Sequence, residues 1–322
     1  MNILITGADG FVGRNLLYYV KYNVNTIVAL VYKSTEYIEY IKLTNSKIIV
    51  IKYDANEEYN YLLLLKTYNI DIVIHLAAIT NIKDHTRIYN DLINVNIISS
   101  IKLIQDSITY GVKKLIYISS AGIYLNQNKG HINNENDDIS TKGMYLYSKS
   151  IVESMCKQMN GYCSTDFIIL RVGTLFGEYE FKNKFRDKTS VIKDIIQILL
   201  QNETVKISGL DVCRDFFHID NLSNIVNKII NTKNFKYLIY NVGLNHTYSI
   251  RRILEYFCLL YDKRIWVETD QYEANIVLYS KDNRAALNTN RILELDNNYP
   301  NISLNEGLLK THNWFKEYYH NK

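Results

Sequence analysis

The chain has 322 residues, 47% of them hydrophobic and 22% charged, the composition of a folded globular protein and not of a disordered or fibrous one. At this length it accommodates one large α/β domain or two modest ones, with enough buried surface to fold without disulfides or a structural metal. Its 37 basic and 33 acidic residues give a net charge of +4, too balanced for a nucleic-acid polymer or a membrane surface as partner, and no apolar run approaches the ~20 residues of a membrane span.

Met1-Asn2-Ile3-Leu4-Ile5-Thr6-Gly7 enters a strand without a basic, apolar leader, so a soluble, cytoplasmic protein is expected. The cysteines at 156, 163, 213 and 258 form no CxxC pair and the histidines no HExxH. Reduced thiols and no metal site are therefore expected. The 28 tyrosines and the single proline read as codon bias, which lowers the information in any one tyrosine.

In chain order, β-branched runs predict strands over 3–6, 26–31, 47–51, 71–75, 114–119 and 167–171. Apolar residues at three- and four-residue spacing predict helices near 11–22, 57–68, 87–110 and 145–160. Strands alternating with crossover helices imply a doubly wound parallel sheet, because a parallel partner needs a long return connection. Beyond 172 the pattern loosens into helices near 190–201, 220–231 and 249–261 and a strand over 237–242. The division expected is a dinucleotide-binding domain over 1–172 and a smaller substrate-binding lobe over 173–322, with about 219–243 returning to pack on the first.

The first strand runs into Thr6-Gly7-Ala8-Asp9-Gly10-Phe11-Val12-Gly13 and then a helix. Glycine permits a tight turn and close backbone approach, and a helix N-terminus presents free N–H groups to an anion such as a pyrophosphate. The end of the second strand, Val31-Tyr32-Lys33-Ser34, lacks the acid that would accept hydrogen bonds from an adenosine ribose. Lys33 and Ser34, helped by Arg14, suit a 2′-phosphate, which favours NADP(H) over NAD(H); an equally good reading of Lys33 is a solvated loop lysine. Asp54, after the third strand, suits the adenine amino group, and His75-Leu76-Ala77-Ala78 ends the fourth with small residues.

The fifth strand ends in Ser119-Ser120, and Tyr145 and Lys149 follow four apart, on one helix face. An ammonium near a phenol draws its pKa down from ~10 toward working pH, so Tyr145 can exchange a proton with a hydroxyl while hydride moves to or from a nicotinamide. The spacing YxxxK also occurs at 110/114 and 318/322. Only Tyr145 follows a serine-tipped fifth strand.

Taken together, TGADGFVG, HLAA, SSAGIY, YLYSK, LRVGTLFG, RDFFHID, YNVG and the closing SLNEGLLKTHNWF resemble, in order and over nearly the whole chain, the extended short-chain dehydrogenase/reductases of the nucleotide-sugar epimerase/dehydratase branch. The resemblance implies Ser120, Tyr145 and Lys149 as catalytic residues. It places Gly7, Gly10, Phe11, Val12, Gly13, Lys33, Asp54, Ala55, Leu76, Ala77, Ala78, Asn96, Lys149 and Val172 along the cofactor, and Thr80, Ser120, Thr174 and Arg214 toward a nucleoside-diphosphate sugar, with Arg214 on the diphosphate. It also implies a homodimer through a four-helix bundle of the helices near 87–110 and 145–160. Ala121 and Gly122 stand where 4,6-dehydratases of this family carry an acid pair, which leaves hydride transfer at C4, by a 4-epimerase or a 4-ketoreductase. Thr174 replaces the family's asparagine, and the segment 268–274, where the family carries a late arginine, holds no basic residue. The basic stretch 177–190, with Lys182, Lys184, Arg186 and Lys188, reads first as a solvated loop and second as a phosphate contact.

Overall fold

The computed structural model describes residues 1–20, 24–32, 47–57, 59–80, 87–140, 142–182, 186 and 188–320. The first half contains β1 (Asn2–Thr6), α1 (Phe11–Tyr19), β2 (Thr26–Val31), β3 (Ile48–Lys52), α2 (Tyr61–Thr67), β4 (Ile72–His75), α3 (Arg87–Ile93), a π turn (Asn94–Ile98), α4 (Ser99–Tyr110), β5 (Lys114–Ser120), β6 (Ile132–Asn133), α5 (Met144–Met159) and β7 (Asp166–Val172). The second half continues with β8 (Thr174–Phe176), α6 (Val191–Leu200), β9 (Val205–Ser208), β10 (Cys213–Arg214), β11 (Phe216–His218), α7 (Ile219–Asn231), β12 (Ile239–Val242), β13 (Tyr248–Ser249), α8 (Ile250–Tyr261), β14 (Trp266–Glu268), β15 (Ile276–Val277), β16 (Ala286–Leu287), α9 (Asn290–Leu295) and α10 (Leu304–His320).

Seven strands form one sheet in the order β12-β7-β5-β4-β1-β2-β3, with every pairing parallel. Helices cover both faces, so the strands read as unbroken apolar runs: Ile27 to Val31 and Leu115 to Ile118 are all buried. The strand order reverses between β1 and β4, where Thr6 pairs with His75. In a doubly wound sheet this reversal opens a crevice at the carboxyl ends of the strands.

α7 repeats apolar residues at three- and four-residue steps, and Ile219, Leu222, Ile225, Val226 and Ile229 join the core that also holds Leu16 and Leu17 of α1. A second core gathers Ile192, Ile195 and Ile196 of α6, Ile253 and Phe257 of α8, and Leu308 and Phe315 of α10 around Val205 and Ile207 of β9. No helix among the described residues is long and apolar enough to cross a membrane.

Two helices depart from the periodic reading. The helix expected near 57–68 starts at Tyr61, because the Asn60 side chain accepts a hydrogen bond from Leu63 N–H and caps it there. The run near 87–110 is broken by the π turn at 94–98, a wide turn that hydrophobic spacing does not reveal. It carries the buried Asn96, whose amide answers both backbone groups of Ile79, at 2.8 and 3.0 Å.

Candidate active site

A cleft of about 450 Å³ lies over the carboxyl ends of β1, β4, β5 and β7. Its floor is the turn after β1. Gly7 has φ +65°, and a Cβ there would stand 2.9 Å from the Ala77 backbone. A Cβ on Gly13 would stand 2.5 Å from the Gly7 carbonyl oxygen. Both glycines are therefore required for turn, helix and the Leu76-Ala77 strand end to close on one another. No side chain caps the first turn of α1, so its N–H groups remain available to an anion over the turn.

His75 fixes the opposite wall. Its ring, buried, lies between Thr6 Oγ1 at 2.7 Å and Ser100 Oγ at 2.8 Å. Burial first, and then the Lys149 charge, lower its pKa to about 3, so it stays neutral. The Thr6 oxygen in turn accepts from Leu76 and Ala77 N–H, both at 3.2 Å, and this holds the small-residue backbone against the glycine turn. Gly7, Gly10, Phe11, Val12, Gly13, Asp54, Ala55, Leu76, Ala77, Ala78, Thr80 and Val172 all line the cleft. Asn96 does not: its amide is spent on Ile79 and on Ser148 Oγ at 3.0 Å, behind the wall. Lys33 and Lys184 fall outside the described residues.

At the other end β5 delivers Ser120, and the first turn of α5 delivers Tyr145 and, one turn on, Lys149. The Lys149 ammonium donates to the Ile118 carbonyl at 2.8 Å and lies 5.8 Å from the centre of the Tyr145 ring. Burial lowers its pKa to about 8, opposed by the Glu153 charge. Burial also pushes the Tyr145 phenol up to about 12, against the pull of Arg186 and a hydrogen bond with Ser120. This corrects the sequence-based expectation that Lys149 draws the phenol toward neutral pH. Desolvation outweighs the attraction of the cations around the phenol, Arg186 foremost, and the Lys149 ammonium is tied to a carbonyl.

Arg186 departs from the first reading of the stretch 177–190 as a solvated loop. Its side chain is 29% exposed, paired with the fully buried Glu180, and its guanidinium sits 5.1 Å from the centre of the Phe11 ring. Glu180 is held in turn by Ser190 N–H at 2.8 Å and Ser190 Oγ at 2.6 Å. Arg186 and Ser190 both wall the cleft, while Lys182 and Lys188 are exposed. Spacing alone does not separate these cations, because the buried acid that selects Arg186 is six residues back in an irregular loop.

Thr174 and Arg214 complete this end. Arg214 Nε donates to the Asp282 carbonyl at 2.9 Å, and burial, then the neighbouring Arg284, lower its pKa. Arg284, which no motif marks and which follows the segment 268–274 that lacks a basic residue, thus stands near Arg214. Asp215 faces away: its buried carboxyl, raised to about 7 by burial, accepts from Leu244 and Leu287 N–H at 2.7 and 3.1 Å. Glu178, His218 and Asp220 cluster closely enough for a metal. However, the Lys310 ammonium already lies against both carboxylates, 3.4 Å from Glu178.

The model of the NAD dependent epimerase/dehydratase family matches residues 3–243. The chain is 26% identical to the UDP-glucuronate 4-epimerase of Thermodesulfobacterium geofontis, over 98% of this chain and 96% of that one. It is 24% identical to the dTDP-D-glucose 4,6-dehydratase of Homo sapiens, over 99% and 91%. Its fold superposes on a UDP-glucuronic acid 4-epimerase from Bacillus cereus, solved with UDP-glucuronic acid and NAD, with a TM-score of 0.82 at 22% identity and 99% and 100% coverage. A glycine turn at the sheet's switch point, a neutral histidine bracing it and a match over three quarters of its length lead to one conclusion: this chain belongs to the NAD-dependent epimerase/dehydratase family.

Proposed function

We propose that the chain is a pyridine-nucleotide-dependent oxidoreductase of nucleoside-diphosphate sugars that moves hydride at sugar C4, as a 4-epimerase or a 4-ketoreductase. The observation that carries this is the convergence of Ser120, Tyr145 and Lys149 on one end of a cleft whose other end is the glycine turn. The turn fits a dinucleotide, since glycine at 7 and 13 lets turn, helix and strand close on one another and the uncapped first turn of α1 offers its N–H groups to a pyrophosphate. A pyridine nucleotide bound there supplies the hydride acceptor or donor.

The residues divide the remaining work. Tyr145 Oη takes the proton of the C4 hydroxyl or returns it to a C4 ketone. Ser120 Oγ shares a hydrogen bond with the same oxygen and fixes its position. Lys149, buried in α5, holds positive charge beside the phenol as proton density shifts. Arg214 takes the diphosphate, a task suited to a guanidinium fork. A 4,6-dehydratase also needs an acid near C5 and C6. The carboxylates among the described lining residues, Asp9 and Asp54, belong to the glycine-turn end, while Ala121 and Gly122 follow Ser120.

The division at residue 172, with 219–243 serving the first domain, is part of this proposal. So is a homodimer through the helices near 87–110 and 145–160, where Ile98 is 57% and Tyr147 42% exposed. Thermal-shift titration with NADH, NADPH and a panel of nucleoside diphosphates tests the cleft, because a ligand that binds only the folded state raises its melting point. The best pair is then assayed for C4 inversion against net cofactor consumption. Water loss from the sugar, or indifference to every nucleoside diphosphate, contradicts the proposal.

A further inference from the structure

We infer that the ring of Tyr117 is the seat that holds the Lys149 ammonium in place and charged, so that Tyr117 is a positioning residue for the proton transfer at Tyr145. This rests on the reading of Ser120, Tyr145 and Lys149 as the catalytic end of the cleft. Lys149 is buried. Its ammonium donates to the Ile118 carbonyl at 2.8 Å and lies 4.8 Å from the centre of the Tyr117 ring, nearer than the 5.8 Å to the ring of Tyr145. Among the described residues no carboxylate pairs with it: Glu153, one turn along α5, is committed to Arg171 at 2.7 Å. A buried cation with three N–H donors and one carbonyl is short of partners. The negative face of an aromatic ring supplies another, and is worth most where water is excluded.

The ring is built in firmly. Tyr117 is 2% exposed and belongs to the core that holds Leu115 of β5 and Val152 and Cys156 of α5. Sheet register sets it between His75 of β4 and Ile169 of β7, and the His75 ring stacks on it at 5.6 Å and 28°. Its neighbours along β5, Leu115, Ile116 and Ile118, are all aliphatic; a residue of that kind at 117 would set the ammonium against hydrocarbon. Burial pushes the Tyr117 phenol well up, so the ring stays neutral and offers its face, not a charge. The titratable groups around the ammonium are Tyr145 and Glu153 on α5, Tyr117 on β5 and His75 on β4, with Arg171 of β7 beyond Glu153. Arg186 acts on the phenol from its loop. The π turn and the start of α4 bring only the Asn96 amide and the Ser100 hydroxyl. Against burial, then, the charge on Lys149 is supported by the Glu153 carboxylate and by the Tyr117 face.

The test reads the lysine charge without a substrate. The full-length protein is labelled with carbon-13 at lysine Cε, the Lys149 signal is assigned by its loss in Lys149→Met, and its shift is followed by NMR against pH in wild type, Tyr117→Phe and Tyr117→Leu. Phenylalanine keeps the face and should leave the midpoint within about 0.3 pH unit, whereas leucine removes it and should lower the midpoint by about one. Leucine also alters the packing. A second series therefore places phenylalanine with one, two and three ring fluorines at 117, which weakens the face at nearly constant shape, and the midpoint should fall stepwise. An unchanged midpoint with leucine and with three fluorines overturns the seat. So does a drop in Tyr117→Phe as large as in Tyr117→Leu, which would assign the effect to the hydroxyl. In the assay with the best nucleotide sugar, the alkaline limb of turnover should move with the NMR midpoint; a limb that stays fixed while the midpoint moves overturns the role in proton transfer. Failure of wild type to bind NADH overturns instead the reading of the cleft, and leaves the NMR midpoints to decide the seat.

Discussion

At the glycine-turn end the cleft is made mainly of backbone, at the catalytic end of side chains. Gly7, Gly10 and Gly13 lie within seven consecutive residues and shape the turn by lacking atoms, with nearest contacts of 2.5–3.2 Å waiting for any Cβ. Ser120, Tyr145, Lys149, Arg186 and Arg214 come from β5, α5, a loop and β10, spread over nearly 100 positions. One end should therefore fail when atoms are added, the other when they are removed, and the two failures should be separable.

The largest effect is expected at the phenol. Tyr145→Phe should lower turnover about a thousandfold and leave cofactor affinity within about twofold; rapid-mixing kinetics beside a binding titration separates the two. Next comes the opposite end, where Gly13→Val adds atoms against the Gly7 carbonyl. It should cost about 1–3 kcal/mol of stability, read by urea denaturation, and weaken the cofactor more than the sugar nucleotide.

Arg214→Ala should raise KM for the nucleoside-diphosphate sugar about tenfold or more with kcat less changed; equal losses in both would place Arg214 outside the ground-state complex. Smaller still is the contrast within one loop. Arg186→Ala should reduce activity several-fold, within the ~1 kcal/mol of a partly exposed cation, whereas Lys188→Ala should do nothing measurable in the same assay.

The charge on Lys149 gives a test in pH. Burial holds its pKa at about 8 against ~10.4 in an unfolded chain. Below pH 8 the native state therefore carries the full cost of a buried ammonium. Between about 8 and 10.4 the unfolded state binds more protons than the native one, so stability rises with pH through that window. Lys149→Met should thus be more stable than wild type at pH 7, by a margin that shrinks toward pH 10. Wild-type turnover should decline through the same window as the ammonium is lost. Parallel pH series of urea melts and initial rates would show the two trends opposing one another.

How much of this was readable in the chain follows from the same contrast. The strands of the central sheet were marked by β-branched runs, and β5 and β7 extend only one residue beyond the expected ends, at Ser120 and at Asp166 and Val172. Two-residue strands such as β10 and β16 left no pattern, because pairs such as Cys213↔Ser249 are made by tertiary closure. The glycine turn was legible for a local reason: the constraint and the residues that meet it are adjacent. The role of Arg186 was hidden by Glu180, and Asn96, expected along the cofactor, is taken off the cleft wall by the π turn that directs its amide to Ile79. Hydrophobic period and motif order report backbone; they are silent on which buried charge answers which.

The most direct measurement is a crystal structure of the complex with NAD and the nucleoside-diphosphate sugar that gives the largest thermal shift. Tyr145 Oη and Ser120 Oγ should both lie within about 3 Å of one C4 oxygen, with the pyrophosphate of the cofactor over the Gly7-to-Gly13 turn and the sugar's diphosphate on Arg214. A sugar oxygen held by other groups, or a cofactor lying away from that turn, would contradict the account.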